Sequence, residues 1–192
     1  WIAKINEKYG ADEARKAFSE ARNRDENDYL IDVMFGEAAL EERQTNWDRV
    51  LAIYQEIQDN FPSDERAADA ALAKADAFAK LGKHDKAIAE YESVLRTPAW
   101  RGNAHAEALY KLGKIAQLDS KIDAALMYYD RCYLGFANCY KWTGKALLSA
   151  AQLLSAQNNK DKAKEICDEF LGNKLNEASP DFSEIKQYRL TL

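Results

Sequence analysis

Three stretches decide the fold: Gly82-Lys83-His84-Asp85-Lys86-Ala87-Ile88-Ala89-Glu90-Tyr91, Ser120-Lys121-Ile122-Asp123-Ala124-Ala125-Leu126-Met127-Tyr128-Tyr129 and Asn158-Asn159-Lys160-Asp161-Lys162-Ala163-Lys164-Glu165-Ile166-Cys167. Each opens on a turn-forming residue, has Ala five positions on, and Tyr or Cys four positions beyond that. The step from Ala87 to Ala125 to Ala163 is 38 residues each time. Twelve positions before these alanines stand Ala75, Gly113 and Ala151, small residues inside helical patterns. Val50 and Tyr54 carry the same phase one residue shorter, with Ala38 as the small residue, and Ala14, Phe18 and Ala21 repeat the second half of the unit alone. Self-similarity at a fixed period between 20 and 50 residues is the signature of stacked supersecondary units.

Each unit reads as two helices. Leu109, Leu112, Gly113 and Ala116 share one helical face in the third unit. Leu118-Asp119-Ser120 makes the turn, and Ser120 with Asp123 is expected to form a capping box for a second helix that buries Ile122, Ala125, Leu126, Tyr129 and Cys132. In the second unit the same reading gives Ala68, Ala71, Ala75 and Phe78, a turn at Gly82–Asp85, then Ala87, Ile88, Tyr91, Val94 and Leu95. Phe61-Pro62-Ser63-Asp64 and Thr97-Pro98 punctuate the first two boundaries. The third, Tyr133 to Trp142, lacks Pro and is rich in aromatics: with Tyr128, Tyr129, Phe136 and Tyr140 it is expected to pack a longer junction. Leu171-Gly172-Asn173 closes the fourth unit, and Ser179-Pro180-Asp181 starts a last helix expected to cover the terminal repeat.

Composition agrees. The chain has 192 residues, of which 32 are Ala, three Val and four Thr, which excludes an all-β fold. Charged residues make 31% and hydrophobic residues 47%, which excludes disordered and fibrous classes. The net charge of −5 leaves no basic excess for nucleic acid. Residues 1–96 are net −7 and residues 97–192 net +2, so a ligand lying along the chain would feel a gradient. No apolar run reaches the length of a membrane span. The chain opens on Trp1 in mid-pattern, which reads as a piece of a longer protein.

Small-x₂-aromatic in the first helix, Ala-x₃-aromatic in the second and Pro at the repeat end resemble the tetratricopeptide repeat, best in Gly82-Lys83 with Ala87-Ile88-Ala89-Glu90-Tyr91, then in Leu112-Gly113 with Ala125-Leu126-x-x-Tyr129. The period here is 37–38 rather than 34, the first-helix Trp is missing, and Cys167 replaces an aromatic. The resemblance implies an all-α fold, an α-solenoid of antiparallel helix pairs wound into a right-handed superhelix. It divides the single domain into a half repeat over 1–24, repeats over about 27–62, 63–98, 102–137 and 139–173, and a capping helix over about 180–191. The Phe-Pro-Ser junction and Gly-Lys turn also look like those of bacterial cell-envelope assembly proteins, which points to the envelope or periplasm, with the cytoplasm as the alternative.

Chemistry is not written in this chain. Gly144-Lys145 lacks the upstream Gly and following Ser or Thr of a phosphate loop, and no GxSxG, HExxH or GxGxxG occurs. His84 and His105 stand apart and are expected to be exposed; Glu41-Glu42 and Glu26-Asp28 read as solvated helix faces. Cys132, Cys139 and Cys167 form no zinc pattern. Cys132 and Cys167 read as core thiols, with a Cys132–Cys139 bridge as the alternative, and an odd count suits a reducing compartment. The expectation is therefore a protein with no enzyme activity, metal or cofactor, a scaffold binding a peptide or helix of another protein in its groove. The alternative is a structural module of a larger envelope protein or enzyme. The resemblance places the groove-lining residues at Asp32 and Phe35, Leu72, Asp76 and Lys80, Tyr110, Lys114 and Gln117, then Lys145, Leu148 and Gln152. Phe35, Leu72, Tyr110 and Leu148 are the expected apolar anchors. Leu72 and Asp76 stand where some members of the family carry a carboxylate-clamping Lys and Asn pair.

Overall fold

The computed structural model describes residues 10–23 and 29–192. The sequence readings on Trp1, on Glu26-Asp28 and on the edges of the half repeat and first repeat lie outside the described residues. Among the described residues there are ten α-helices and no strand. They are α1 Ala11–Arg22, α2 Leu30–Arg43, α3 Trp47–Asn60, α4 Arg66–Lys80, α5 His84–Arg96, α6 Asn103–Leu118, α7 Ile122–Gly135, α8 Tyr140–Ala156, α9 Lys160–Gly172 and α10 Phe182–Thr191. Short 3₁₀ turns lie at Pro98–Trp100 and Lys174–Ala178. The chain forms two compact units that meet inside α5, one ending at Glu90 and one beginning at Tyr91.

Helix propensity and packing act together. Eight of the fifteen residues of α4 are Ala, the best helix former, and small side chains let neighbouring helices approach. In the N-terminal unit, Ile31 and Met34 of α2, Val50, Ile53 and Ile57 of α3, and Ala70 and Ala77 of α4 share one core. Ala14 and Phe18 seat α1 against Leu40 of α2, and Gly36 gives Phe18 its room: a Cβ there would stand 2.8 Å from the ring. In the C-terminal unit α6 to α10 close around Leu109, Tyr129, Cys132, Leu147, Cys167 and Ile185. Ile185 holds α10 to α9, assisted by Phe182 against Phe170 and by Arg189, whose guanidinium donates two 2.7 Å bonds to Asp168.

The three quoted stretches open at one structural event. Gly82, Ser120 and Asn158 have φ of 68°, 59° and 62°, and Thr45, at the same phase, has 57°. In each case the next amide reaches back over the helix end, Lys83 to Phe78, Lys121 to Ala116, Asn159 to Leu154 and Asn46 to Glu41, at 2.8 to 2.9 Å. This is the Schellman closure, which satisfies the last carbonyls at the cost of a left-handed residue. The capping box expected of Ser120 is not formed: Lys121 is the N-cap of α7, with no side-chain cap, and Ser120 serves the preceding helix instead. Left-handed backbone strains a side chain with a Cβ, most of all a β-branched one. Thr45→Gly and Ser120→Gly should each raise stability by about 0.5–1 kcal/mol after the entropic penalty of Gly is deducted. Gly82→Ala should lower it. Urea midpoints of the three variants check the assignment.

Other expectations are corrected. The third junction is short: α7 runs to Gly135 and α8 starts at Tyr140, because Tyr133, Phe136 and Trp142 extend helical packing into it. His105 is buried, its Nε2 3.0 Å from the Thr97 carbonyl, because the α6 N-terminus folds under the 3₁₀ turn. Glu41 is not solvated but buried, for reasons given below. The three cysteines are unbridged; burial pushes the Cys132 thiol up to about 12 and Cys167 up to about 11.

Candidate functional site

In the N-terminal unit, Asp32, Phe35, Asp76 and Lys80 stay at least partly accessible, but Asp32 and Lys80 are already in ion pairs. Arg66 holds Asp32 at 2.9 Å; Lys80 donates to Glu42 at 3.0 Å and lies 5.5 Å over the Trp47 ring. Phe35 packs on Tyr54 with centroids 6.0 Å apart, and the Tyr54 hydroxyl donates to Glu42. Leu72 is only 5% exposed and cannot serve as a surface anchor.

The C-terminal unit brings its predicted residues together differently. α6 carries Tyr110, Lys114 and Gln117 on successive turns, and α8 carries Trp142, Lys145 and Ser149. Tyr110 is half-buried, 5.6 Å from Trp142 and 6.1 Å from Tyr129. Burial pushes its phenol pKa up, and a hydrogen bond with Ser149 pulls it partly back. Tyr129 donates to Gln117 at 2.9 Å, leaving the amide nitrogen of Gln117 for an outside acceptor. Lys145 lies 5.3 Å over the Trp142 ring. Among the described residues, neither Lys114 nor Lys145 forms an ion pair with a carboxylate. Gln152 is exposed, while Leu148 is 7% exposed and belongs to the core. The α helix geometry explains both corrections: Leu72 and Leu148 lie beside the small residues Ala75 and Ala151 on the packed stripe, not on the open one.

The face is bounded by the segment before α10. Gly144 makes that approach possible: a Cβ there would stand 2.9 Å from Asp181 Oδ2. Ser179 donates its hydroxyl to the Tyr140 carbonyl, and Asp181 Oδ2 is buried with no hydrogen-bond partner. Burial raises the Asp181 pKa and the nearby Lys145 lowers it.

Two features escaped sequence reasoning. The first is an ion-pair network around two buried carboxylates, Glu37 and Glu41, in the N-terminal unit. Arg15 donates to both Glu41 oxygens at 2.7 and 3.0 Å, Arg22 to Glu37 at 2.6 Å and to Glu56, and Arg49 to Glu37 at 2.6 Å. The spacing of Glu37 and Glu41, one turn apart opposite Arg15 and Arg22, was visible; that another helix covers it was not. The second is a pair of clefts in the C-terminal unit, of about 570 and 630 Å³, which share Leu134. Neither contains a predicted site residue. Among the described residues, no group of His, Cys, Asp and Glu is arranged to hold a metal, and no helix is long and apolar enough to cross a membrane.

Paired helices with a recurrent Schellman turn and a small-residue stripe define the class as a helical repeat protein. The tetratricopeptide repeat family matches residues 69–97, across the α4–α5 pair. BtubC (BKLC) from P. vanneervenii is similar in fold, with a TM-score of 0.66 and 16% identity over 100% of this chain and 79% of that one. MamA is similar with a TM-score of 0.59 and 16% identity, covering 100% of this chain and 97% of that one. Comparison with curated proteins finds no match.

Proposed function

We propose that the chain is a non-catalytic interaction scaffold and that the α6–α8 face of its C-terminal unit seats an extended or helical segment of another protein. Tetratricopeptide repeats as a fold mediate contact between proteins, which supports the general class. The finer reading is carried by one observation: a half-buried aromatic, Tyr110, flanked by two lysines that form no carboxylate ion pair among the described residues, Lys114 and Lys145. Aromatic anchors beside unpaired charge are what interfaces use, the ring for affinity and the charge for steering. The N-terminal face is less suited, because Asp32 and Lys80 already have partners.

Tyr110→Ala should weaken capture of the partner by about 2 kcal/mol or more while leaving helical content unchanged. Lys114→Glu should slow association and change its salt dependence. The experiment is affinity capture on the immobilised chain, identification of what is retained, and titration of that protein against both variants. Wild-type binding by Tyr110→Ala, together with loss of binding in variants on α7 or α9, would place the partner elsewhere and end this reading.

A further inference from the structure

The two clefts that the α6–α8 face leaves unused sit where α7 ends. The smaller is walled by Leu95, Pro98, Leu109 and Phe136, with Leu134 between it and the larger one. Leu134 is 65% exposed, a large apolar side chain standing in water between two hollows. The larger hollow is walled by Tyr133, Leu147, Ile166 and Phe170. Of the two, the smaller has the distinctive charge. Arg101 and Arg131 both line it and both are exposed. Arg101 lies 5.4 Å over the Phe136 ring, and neither guanidinium forms an ion pair among the described residues. Asp130, also at this rim, is engaged by the Tyr133 hydroxyl.

We infer that this edge is a second docking surface, distinct from the α6–α8 face, and that it takes a segment of a partner protein carrying an apolar side chain next to a carboxylate. The apolar side chain enters the smaller cleft against Phe136 and Leu109. The carboxylate meets Arg101 and Arg131, whose planar donor forks suit bidentate carboxylates. A second apolar side chain of the same segment straddles Leu134 into the larger cleft. An acidic, apolar segment complements this edge in both shape and charge, since Leu134 stands between two hollows and Arg101 and Arg131 form no ion pair among the described residues. The aromatic-rich junction that the repeat pattern singled out supplies this edge, since Tyr133 and Phe136 form its walls.

The test uses the full chain and a displayed library of random 16-residue peptides. Selected peptides are synthesised with a fluorophore and titrated against the parent and three variants: Leu134→Asp, Arg101→Glu/Arg131→Glu and Tyr110→Ala. Leu134 and both arginines are exposed, and circular dichroism confirms that each variant keeps its helix content. The expected result is enrichment of peptides with Asp or Glu beside Leu, Ile, Phe or Trp. Their affinity falls about tenfold or more in Leu134→Asp and in the double arginine variant, with a weaker salt dependence in the latter, and stays unchanged in Tyr110→Ala. Peptides that lose binding in Tyr110→Ala but not in Leu134→Asp would overturn this proposal and support the α6–α8 face instead. Peptides without acidic residues would overturn the carboxylate assignment. If the parent sediments as a dimer that Leu134→Asp dissociates, the edge is covered by a second copy and the partner assignment is wrong.

Discussion

Gly113→Leu is expected to lower the urea midpoint by the equivalent of about 2–3 kcal/mol, while Ala99→Leu leaves it nearly unchanged. The reason is local and steric. Gly113 faces Tyr129, whose ring is fully buried; an added Cβ would stand 2.6 Å from Tyr129 Cδ1, closer than side chains pack. The ring cannot give way, because its hydroxyl is bonded to Gln117 and its sides meet Tyr110 and the α6–α7 core. Ala125, fully buried on α7, should behave like Gly113 when changed to Leu, whereas Ala99 is exposed in the 3₁₀ turn. A double-mutant cycle sharpens the claim. Gly113→Ala with Tyr129→Leu should cost less than the two single changes added together, because the smaller side chain vacates the space the methyl needs. Strict additivity would show that Gly113 and Tyr129 are not a matched pair.

Glu37→Ala should be the most damaging charge deletion, at about 3 kcal/mol. Glu37 is 7% exposed and neutralises both Arg22 and Arg49. Its removal strands Arg22, whose side chain is 16% exposed, on the half-exposed Glu56 alone. The exposed Arg189–Asp168 pair should by contrast be dispensable for stability, as surface pairs generally are. The neighbouring Glu41 gives the pH signature. Hydrogen bonding from Arg15 holds its carboxyl below the ordinary 4.5, against the opposing effect of burial, and Asn46 assists. A depressed folded pKa means the stabilisation is complete above 4.5 and is lost as pH falls through the lower folded value. Urea midpoints taken from about pH 6 to about pH 3 should therefore fall more steeply for the parent than for Glu41→Gln. An identical slope in both would mean that Arg15 does not hold Glu41 in solution.

By itself, the order of residues determined the helix pairs. The 38-residue recurrence of Ala87, Ala125 and Ala163 carries the phase of the second helices, and the turn positions Gly82, Ser120 and Asn158 carry their starts. Both are local effects, since an apolar stripe at helical spacing and a left-handed residue after a helix act within a few residues. Local logic also misassigned some chemistry. Ser120 and Asp123 fit a capping box, yet Ser120 closes the helix before it, because a single residue cannot be left-handed and an N-cap acceptor at once. What each polar or apolar side chain meets across the packing was decided only in three dimensions. Glu41 became buried because Arg15 of α1 arrives 26 positions away in sequence. Leu72 and Leu148 turned inward because the stripe that packs is wider than the residues at the repeat positions suggest. Leu134 stayed outside because α7 ends just beyond it, between two hollows that no stretch of sequence displays. Hollows and burials are properties of several helices at once, and each depends on side chains from segments dozens of residues apart.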